Sequence, residues 1–356
     1  MAAAAHNAVF MLFLISGVRL SVAAHTTVPP HFTVNLDLPE EERWNGVIAK
    51  YGDYIKQAAK EIINQVPVEA MPLVEMIAAD IDKYLPSPYA GEMRGIAKSA
   101  NMNLGDVVIV NIIYDVTAFC TSIGAQDTNG TIWHARNLDY RYRFTDMLRN
   151  VTISVDFQRR GQTVYSSVTY AAYIGILTGQ KPHKFTVTVD ERDRGAWWMN
   201  ALMAILYSKA KPMSFLVRDV LESSENFDDA VDTLSNTLTD ASEYFIVAGT
   251  KPGEGAIITK GRLAPLDIWK LNLTAGRWFE VETNYDHWVE PPAHDDRRHP
   301  AINAMEKLGQ NQIDKMHLFN DVMSLHPVLN NRTVYTVVMS AANPDFIQSW
   351  VQHPDP

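Results

Sequence analysis

Cysteine is nearly missing from this sequence: Cys120 is the only one in 356 residues. That excludes an intramolecular disulfide framework and any metal cluster held by several thiolates. Positive charge is also in short supply, with 31 Lys and Arg against 41 Asp and Glu and a formal net charge of -10. A nucleic-acid surface needs the opposite balance, so no nucleic-acid partner is expected. No apolar run reaches the ~20 residues that span a bilayer as a helix. Also missing are G-x-S-x-G, H-E-x-x-H, a Walker A loop and a G-x-G-x-x-G after a strand. The 11 histidines show no i, i+4 pair on an apparent helix, so neither a metal nor a cofactor is expected. A Ser-His-Asp triad stays open, because its members need not be neighbours in sequence.

What is present begins with a secretory pattern. An apolar run from Ala8 to Val18 and a small-residue end at Val22-Ala23-Ala24 read as a signal peptide, residues 1–24, with a buried N-terminal helix as the alternative. Four N-x-S/T sequons start at Asn129, Asn150, Asn272 and Asn331 and agree with a glycoprotein, although Asn129-Gly130 is also a hairpin-turn dipeptide. In an oxidising compartment a lone Cys is either an intermolecular link or a reactive thiol.

The remaining chain reads as helices first and strands later. Trp44, Val47, Ile48, Tyr51, Ile55 and Ala58 keep helical spacing, as do Val74, Ile77, Ile81 and Leu85, with Pro67 and Pro72 between them. A short helix follows over 91–99. The run 107–114 is β-branched and apolar, and periodicity leaves it as either a strand or a buried helix. From Cys120 the texture is strand, turn, strand to Arg136. Further strands are expected at 151–158, 163–173, 184–189, 244–248, 256–259, 267–271, 278–283 and, last, 334–338. Helices are expected at 196–208, 214–223, 226–236, 301–309 and 313–325. Strands in hairpins and helices in separate groups predict an α+β fold with antiparallel sheets.

Cys120 has Arg136 and Asp139 16 and 19 residues later, across the expected hairpin. A cation beside a thiol favours the nucleophilic thiolate, and a carboxylate can hold a neighbouring base. Spacing alone weighs this evenly against a buried, inert Cys whose Arg and Asp pair on the surface. No His is fixed nearby unless His134 points toward the sulfur.

Asp115-Val116-Thr117-Ala118-Phe119-Cys120-Thr121-Ser122-Ile123 with Arg136-Asn137-Leu138-Asp139 resembles the acid ceramidase and N-acylethanolamine acid amidase family. Gly175 to Gly179, Asp190 to Asp193, Glu282 to Trp288 and Asp295 to Arg298 extend the resemblance from about Pro30 to the C-terminus. It implies a four-layer αββα N-terminal nucleophile hydrolase fold. It also implies self-cleavage between Phe119 and Cys120 in acid, giving a helical α-subunit (25–119) and a catalytic β-subunit (120–356) that stay together without a covalent bond. Cys120 would then be the nucleophile, its freed α-amine the base, and an acyl-thioester the intermediate. By the same resemblance Arg136 orients nucleophile and substrate, Asp139 holds the amine, Asn284 donates to the oxyanion, and Glu191 sits at the mouth of the site.

Within that family the ceramidase branch carries extra disulfide cysteines that this chain lacks, and Trp197-Trp198 with 282–288 look closer to the amidase branch. The expected reaction is lysosomal hydrolysis of saturated N-acylethanolamines, with acid ceramidase-type hydrolysis of N-acylsphingosine as the alternative. Such lipid amides suggest membrane contact through Trp197, Trp198 and Met199, and ordinary core packing explains the same apolar run equally well. Two non-enzymatic readings remain: a lipid-binding glycoprotein with an inert Cys120, and an interaction protein that uses Cys120 for an intermolecular disulfide.

Overall fold

A computed structural model describes residues 25–64, 68–113, 118–140, 142–192, 210–344 and 347–353. The signal segment 1–24, the expected helix at 196–208, and Trp197, Trp198 and Met199 all lie outside the described residues.

Two stacked sheets form the centre. The first has the order β1 (His25–Thr27), β14 (Gln348–His353), β13 (Thr333–Met339), β4 (Ile132–Tyr140), β3 (Ala118–Gln126) and β12 (Phe279–Glu282), with every neighbouring pair antiparallel. The second runs β11 (Pro265–Lys270), β10 (Gly255–Lys260), β9 (Glu243–Ala248), β8 (Phe185–Glu191), β7 (Thr178–Lys181), β6 (Gln162–Tyr170), β5 (Thr152–Arg159) and β2 (His31–Asn35). Only its edge pair β2–β5 is parallel. Helices cover both outer faces, so the α+β expectation and its four-layer αββα form hold.

Alternation along each strand decides which chemistry lies between the sheets, because successive side chains point to opposite faces. In β8, Phe185, Val187 and Val189 join the hydrophobic core, while His134 of β4 meets Thr186 and Thr188 and Ser122 of β3 meets Asp190. In β3, Ile123 and Ala125 pack with Ala301, Met305 and Val322 under the helix α9 (Arg298–Leu308). Cys120 and Ser122 therefore face inward, toward β8. The interior between the sheets is polar around Arg136, His134 and Asp190, and Leu138, Val337 and Met339, on the same face of β4 and β13, bring apolar side chains into it.

The helices α1 (Asn45–Ile63), α2 (Met71–Ala79), α3 (Ile81–Tyr84), α4 (Tyr89–Ala100) and α5 (Leu104–Ile113) form the N-terminal group, but the expected helix through Val74, Ile77, Ile81 and Leu85 is broken at Asp80, and Pro72 sits in the first turn of α2 rather than between helices. The described part of the ambiguous run, 107–113, lies in the helix α5; buried Val107, Val108, Ile109 and Val110 leave it apolar on most faces, which erases any period. The structure corrects other expectations. A helix α6 (Tyr142–Val151) was not foreseen, and Val334–Val338 is not in the last strand, since β14 follows. The segment 313–325 is one turn at Lys315–His317 followed by a π-helix at Leu318–Met323 rather than a single α-helix. The helices α7 (Met213–Ser223) and α8 (Phe227–Asn236) stand as expected, the latter capped by Asn226, whose side chain accepts from the Asp229 amide.

The N-terminal segment is built into both sheets. β1 adds an edge to one through β14, and β2 adds an edge to the other through β5. Its helices are tied in by Glu92 of α4, which is fully buried and accepts from both Arg218 amino groups at 2.7 Å, from Arg43 at 3.0 Å and from the Trp44 indole at 2.8 Å.

Candidate active site

The β3–β4 hairpin brings Cys120 and Arg136 together. Cys120 lies opposite Leu138 and Ser122 opposite Arg136, which puts the thiol and the guanidinium diagonally on one face. Both are fully buried. Arg136 Nη2 donates to Cys120 Sγ at 2.7 Å and to the Val189 carbonyl at 2.9 Å, while Nη1 donates to the Leu177 carbonyl and the Thr178 hydroxyl, each at 2.7 Å. This is no surface pairing, and the guanidinium is locked in place before any substrate arrives.

The backbone of Cys120 is also held by side chains. β12 stops pairing with β3 at Glu282–Ser122. Asn284 takes over one step further along, and its Oδ1 accepts the Cys120 amide N–H at 2.9 Å. Its Nδ2 donates to the Glu191 carbonyl at 2.7 Å. Arg297 donates to the Cys120 carbonyl and, at 2.7 Å, to Asn284 Oδ1. Asn284 thus accepts at the nitrogen of the Phe119–Cys120 bond, with its amide donor engaged by the Glu191 carbonyl. Glu191 itself is half-buried at the end of β8.

Asp139 lies on the opposite face of the hairpin, across from Phe119. Its carboxylate accepts from Thr333 at 2.6 Å and Asn330 at 2.9 Å, and Arg297 stands 3.7 Å away. Sequence spacing put Asp139 beside the thiol, and the two-residue period puts it behind. His134 is excluded as a base: it bonds Thr186 at 2.8 Å and Thr188 at 3.0 Å, and burial drives its pKa down to about 3.

Charge is finely opposed here. Burial pushes the Cys120 thiol well above its ordinary range, Arg136 and Arg297 pull it down, and Asp190 and Asp139 push it up again. Asp190 accepts from Ser122 at 2.8 Å and lies 3.6 Å from Arg136. Burial raises its pKa to about 7 against the pull of Arg136. Asp139 is raised too, first by burial. Arg297, Asp190 and Ser122 are site residues that sequence reasoning did not assign. All three lay inside matched motifs, so the signal was there without a geometry to interpret it.

A cavity of 380 Å³ opens beside the Phe119–Cys120 bond, with Phe119, Asp139, Arg297, His326, Asn330 and Arg332 among its lining. Asn331 of the last sequon stands at its rim. Asn129, Asn150, Asn272 and Asn331 are all exposed.

Comparison with known proteins places this arrangement. A family model described as the beta subunit of N-acylethanolamine-hydrolyzing acid amidase matches residues 27–85. That label falls on the segment named the α-subunit above. A second, described as linear amide C-N hydrolases, choloylglycine hydrolase family, matches residues 120–309 and so begins at Cys120. The N-acylethanolamine-hydrolyzing acid amidase of Mus musculus is 44% identical over 98% of this chain and 96% of its own length. The Caenorhabditis elegans protein of the same name is 40% identical over 89% and 90%. The acid ceramidase of Bos taurus is 36% identical over 92% and 87%. A solved chain of the Caenorhabditis elegans ortholog matches with a TM-score of 0.59 and 41% identity, covering 65% of this chain and 99% of that one. The chain therefore belongs to the linear amide C–N hydrolases, in the branch that holds the N-acylethanolamine-hydrolyzing acid amidases and the acid ceramidases.

Proposed function

We propose that this protein is a lysosomal glycoprotein that cuts its own Phe119–Cys120 bond in acid and then hydrolyses N-acylethanolamines of the palmitoylethanolamide type to fatty acid and ethanolamine. The observation that carries the reading is the grip on Cys120: Arg136 on the sulfur at 2.7 Å and Asn284 on the amide nitrogen at 2.9 Å.

In the precursor that nitrogen is an amide and cannot act as a base. The sulfur adds to the Phe119 carbonyl carbon, the C–N bond breaks as the nitrogen takes a proton, and water hydrolyses the thioester. Phe119 is left with a carboxylate and Cys120 with a free amine. That amine, with a reference pKa of about 7.7–8.0, lies close enough to take the thiol proton and pass it to the leaving nitrogen of a substrate amide. The acyl-thioester then yields the fatty acid to water. Arg136 steadies the sulfur as charge develops, and Asn284, with Glu191 beside it, lines the position where the oxyanion forms.

Several observations support a cut at this bond. The second family model starts at Cys120. Residues 120–356 are 237 of 356, about the 65% share that the solved ortholog chain matches. The pieces 1–24, 25–119 and 120–356 are then signal peptide, N-terminal subunit and catalytic subunit. The two subunits stay together through β1, β2 and Glu92. Exposed Asn129, Asn150, Asn272 and Asn331 suit glycans on a secretory route. Trp197, Trp198 and Met199 are the proposed lipid contact. Ceramide hydrolysis is the second reading, favoured by the 36% identity to an acid ceramidase.

The test is N-terminal sequencing after incubation near pH 4.5, where carboxylates begin to protonate (reference pKa about 3.9–4.3), beside a Cys120→Ala variant. A new terminus at Cys120 in the wild type alone, with turnover of palmitoylethanolamide exceeding that of ceramide, is expected. Turnover by an uncut wild-type chain overturns the maturation step, and faster ceramide turnover overturns the substrate choice.

A further inference from the structure

The motif Gly175-Ile176-Leu177-Thr178-Gly179 has a position that the reaction above does not explain. It ends a buried strap, 171–177, running between β6 and β7. At its start Ala172 has a φ of 68°, a left-handed conformation that costs a side-chain-bearing residue energy and persists only where the surroundings hold it. Those surroundings come partly from the N-terminal segment. Asn111 of α5, 1% exposed, donates from Nδ2 to the Ala172 carbonyl at 3.0 Å, and its Oδ1 accepts the Ile174 amide at 2.8 Å. The next grips come from α7: Arg218, which holds Glu92, donates to the Ile174 carbonyl at 3.0 Å, and the Ile176 amide donates to the Ser214 carbonyl at 3.1 Å. Gly175 permits that approach, since a Cβ there would lie 2.3 Å from Ser214 Oγ. At its far end the strap offers the Leu177 carbonyl to Arg136 Nη1, and Thr178 adds its hydroxyl. The other amino group of that guanidinium is the one on the Cys120 sulfur.

We propose that Asn111 is a positioning residue for the nucleophile: by fixing the strap 171–177 it fixes Arg136, so the N-terminal segment remains part of the working site after the chain is cut. This rests on the reading of Cys120 as nucleophile and Arg136 as its partner. A strap released from Asn111 lets Ala172 relax and carries the Leu177 carbonyl away from the guanidinium. The sulfur then loses the cation that opposes its burial, and less thiolate forms at a given pH. Arg136 and Val189, the hydrogen-bond partners of the sulfur among the described residues, belong to the C-terminal piece, which would hold Arg136 loosely without the helix that precedes it.

Because Cys120 is the only cysteine, alkylation by a small thiol reagent reads its thiolate directly. The comparison is full-length wild type, Asn111→Leu and Val108→Ala, each taken through the acid cut. Val108 is a fully buried residue of the same helix with no bond to the strap, so it serves as the control for lost stability alone. Among molecules shown to be folded by a thermal melt, Asn111→Leu should alkylate roughly tenfold more slowly than Val108→Ala, the change that follows loss of one hydrogen-bond-sized interaction. Its kcat should fall in parallel, with KM moving less. Equal alkylation rates in the two variants overturn the proposal. Should Asn111→Leu not fold, hydrogen exchange on the wild type decides. The Ile174 amide must exchange as slowly as the amides of α5, and rapid exchange there refutes a strap held by Asn111. Full turnover by wild type carrying an alkylated Cys120 instead refutes the nucleophile reading, and the alkylation comparison still judges the strap.

Discussion

The fold should be more stable in acid than at neutral pH, and Asp240 isolates the reason. It is 8% exposed, lies outside the hydrogen-bond set of Cys120, and burial raises its pKa to about 7 against the pull of backbone amides and Arg262. The ordinary value for this carboxyl is 3.8, so the unfolded chain releases the proton from about pH 4 upward while the folded chain keeps it to about pH 7. The unfolded state therefore binds fewer protons across that window, and stability falls as pH rises through it. Roughly three pKa units at about 1.4 kcal/mol each set an upper bound near ~4 kcal/mol for this one group. Asp240→Asn keeps the neutral shape and has no proton to lose. Urea midpoints should be measured for Asp240→Asn and its parent at pH 4.5 and 8, both in a Cys120→Ala background that keeps the chain uncut. Near-equal midpoints in acid are expected, with the Asn variant more stable by about 2–4 kcal/mol at pH 8. A gap between the two that does not widen with pH refutes the reasoning. Asp190 and Glu280, raised to about 7 and about 9 mainly by burial, push the whole molecule in the same direction.

Arg136→Lys keeps the charge but cannot reach the sulfur and the three oxygens that the fork now serves. Steady-state kinetics should show kcat down by roughly 10²-fold or more, as expected when two buried partners are left unpaired, and a loss below tenfold would count against the site. Asn284→Ala removes the acceptor that holds the Cys120 amide, so the acid cut followed by gel electrophoresis should slow by roughly tenfold, the scale of one lost hydrogen bond. Glu92→Leu leaves Arg218 buried without a counter-charge, a loss of about 3–5 kcal/mol. After the acid cut, size-exclusion chromatography should then separate the N-terminal piece from the rest, whereas wild type stays together.

Much of this site is legible in the sequence. Cys120 stood out because there was no other cysteine, and Asn129-Gly130 marked the turn that returns Arg136 to it; Gly130 takes a φ of 89° there. Other features were not legible, for physical reasons. The run that forms α5 is apolar on most faces, so no period distinguished helix from strand. β14, with the sequence Gln348-Ser349-Trp350-Val351-Gln352-His353, buries Ser349 and Gln352 as well as Val351, and carries no alternating pattern to detect. Asp139 was placed beside the thiol because spacing measures distance along a hairpin and says nothing of which face a side chain takes.

Sequence by itself determined the chemical class: one thiol, a cation across a turn, and motifs ordered as in an amide-hydrolase family. Local residue order sets hairpins, caps and strand alternation, and these need no distant partner. Tertiary structure alone decided what surrounds the thiol. Arg297 meets Cys120 across 177 positions and Asn284 across 164, and Asp190 and the strap at 171–177 arrive from a different sheet. Such contacts depend on how two sheets stack and how deeply the groups between them are buried. Burial, which no local pattern records, is what raises Asp190 and the Cys120 thiol and lets a single guanidinium matter.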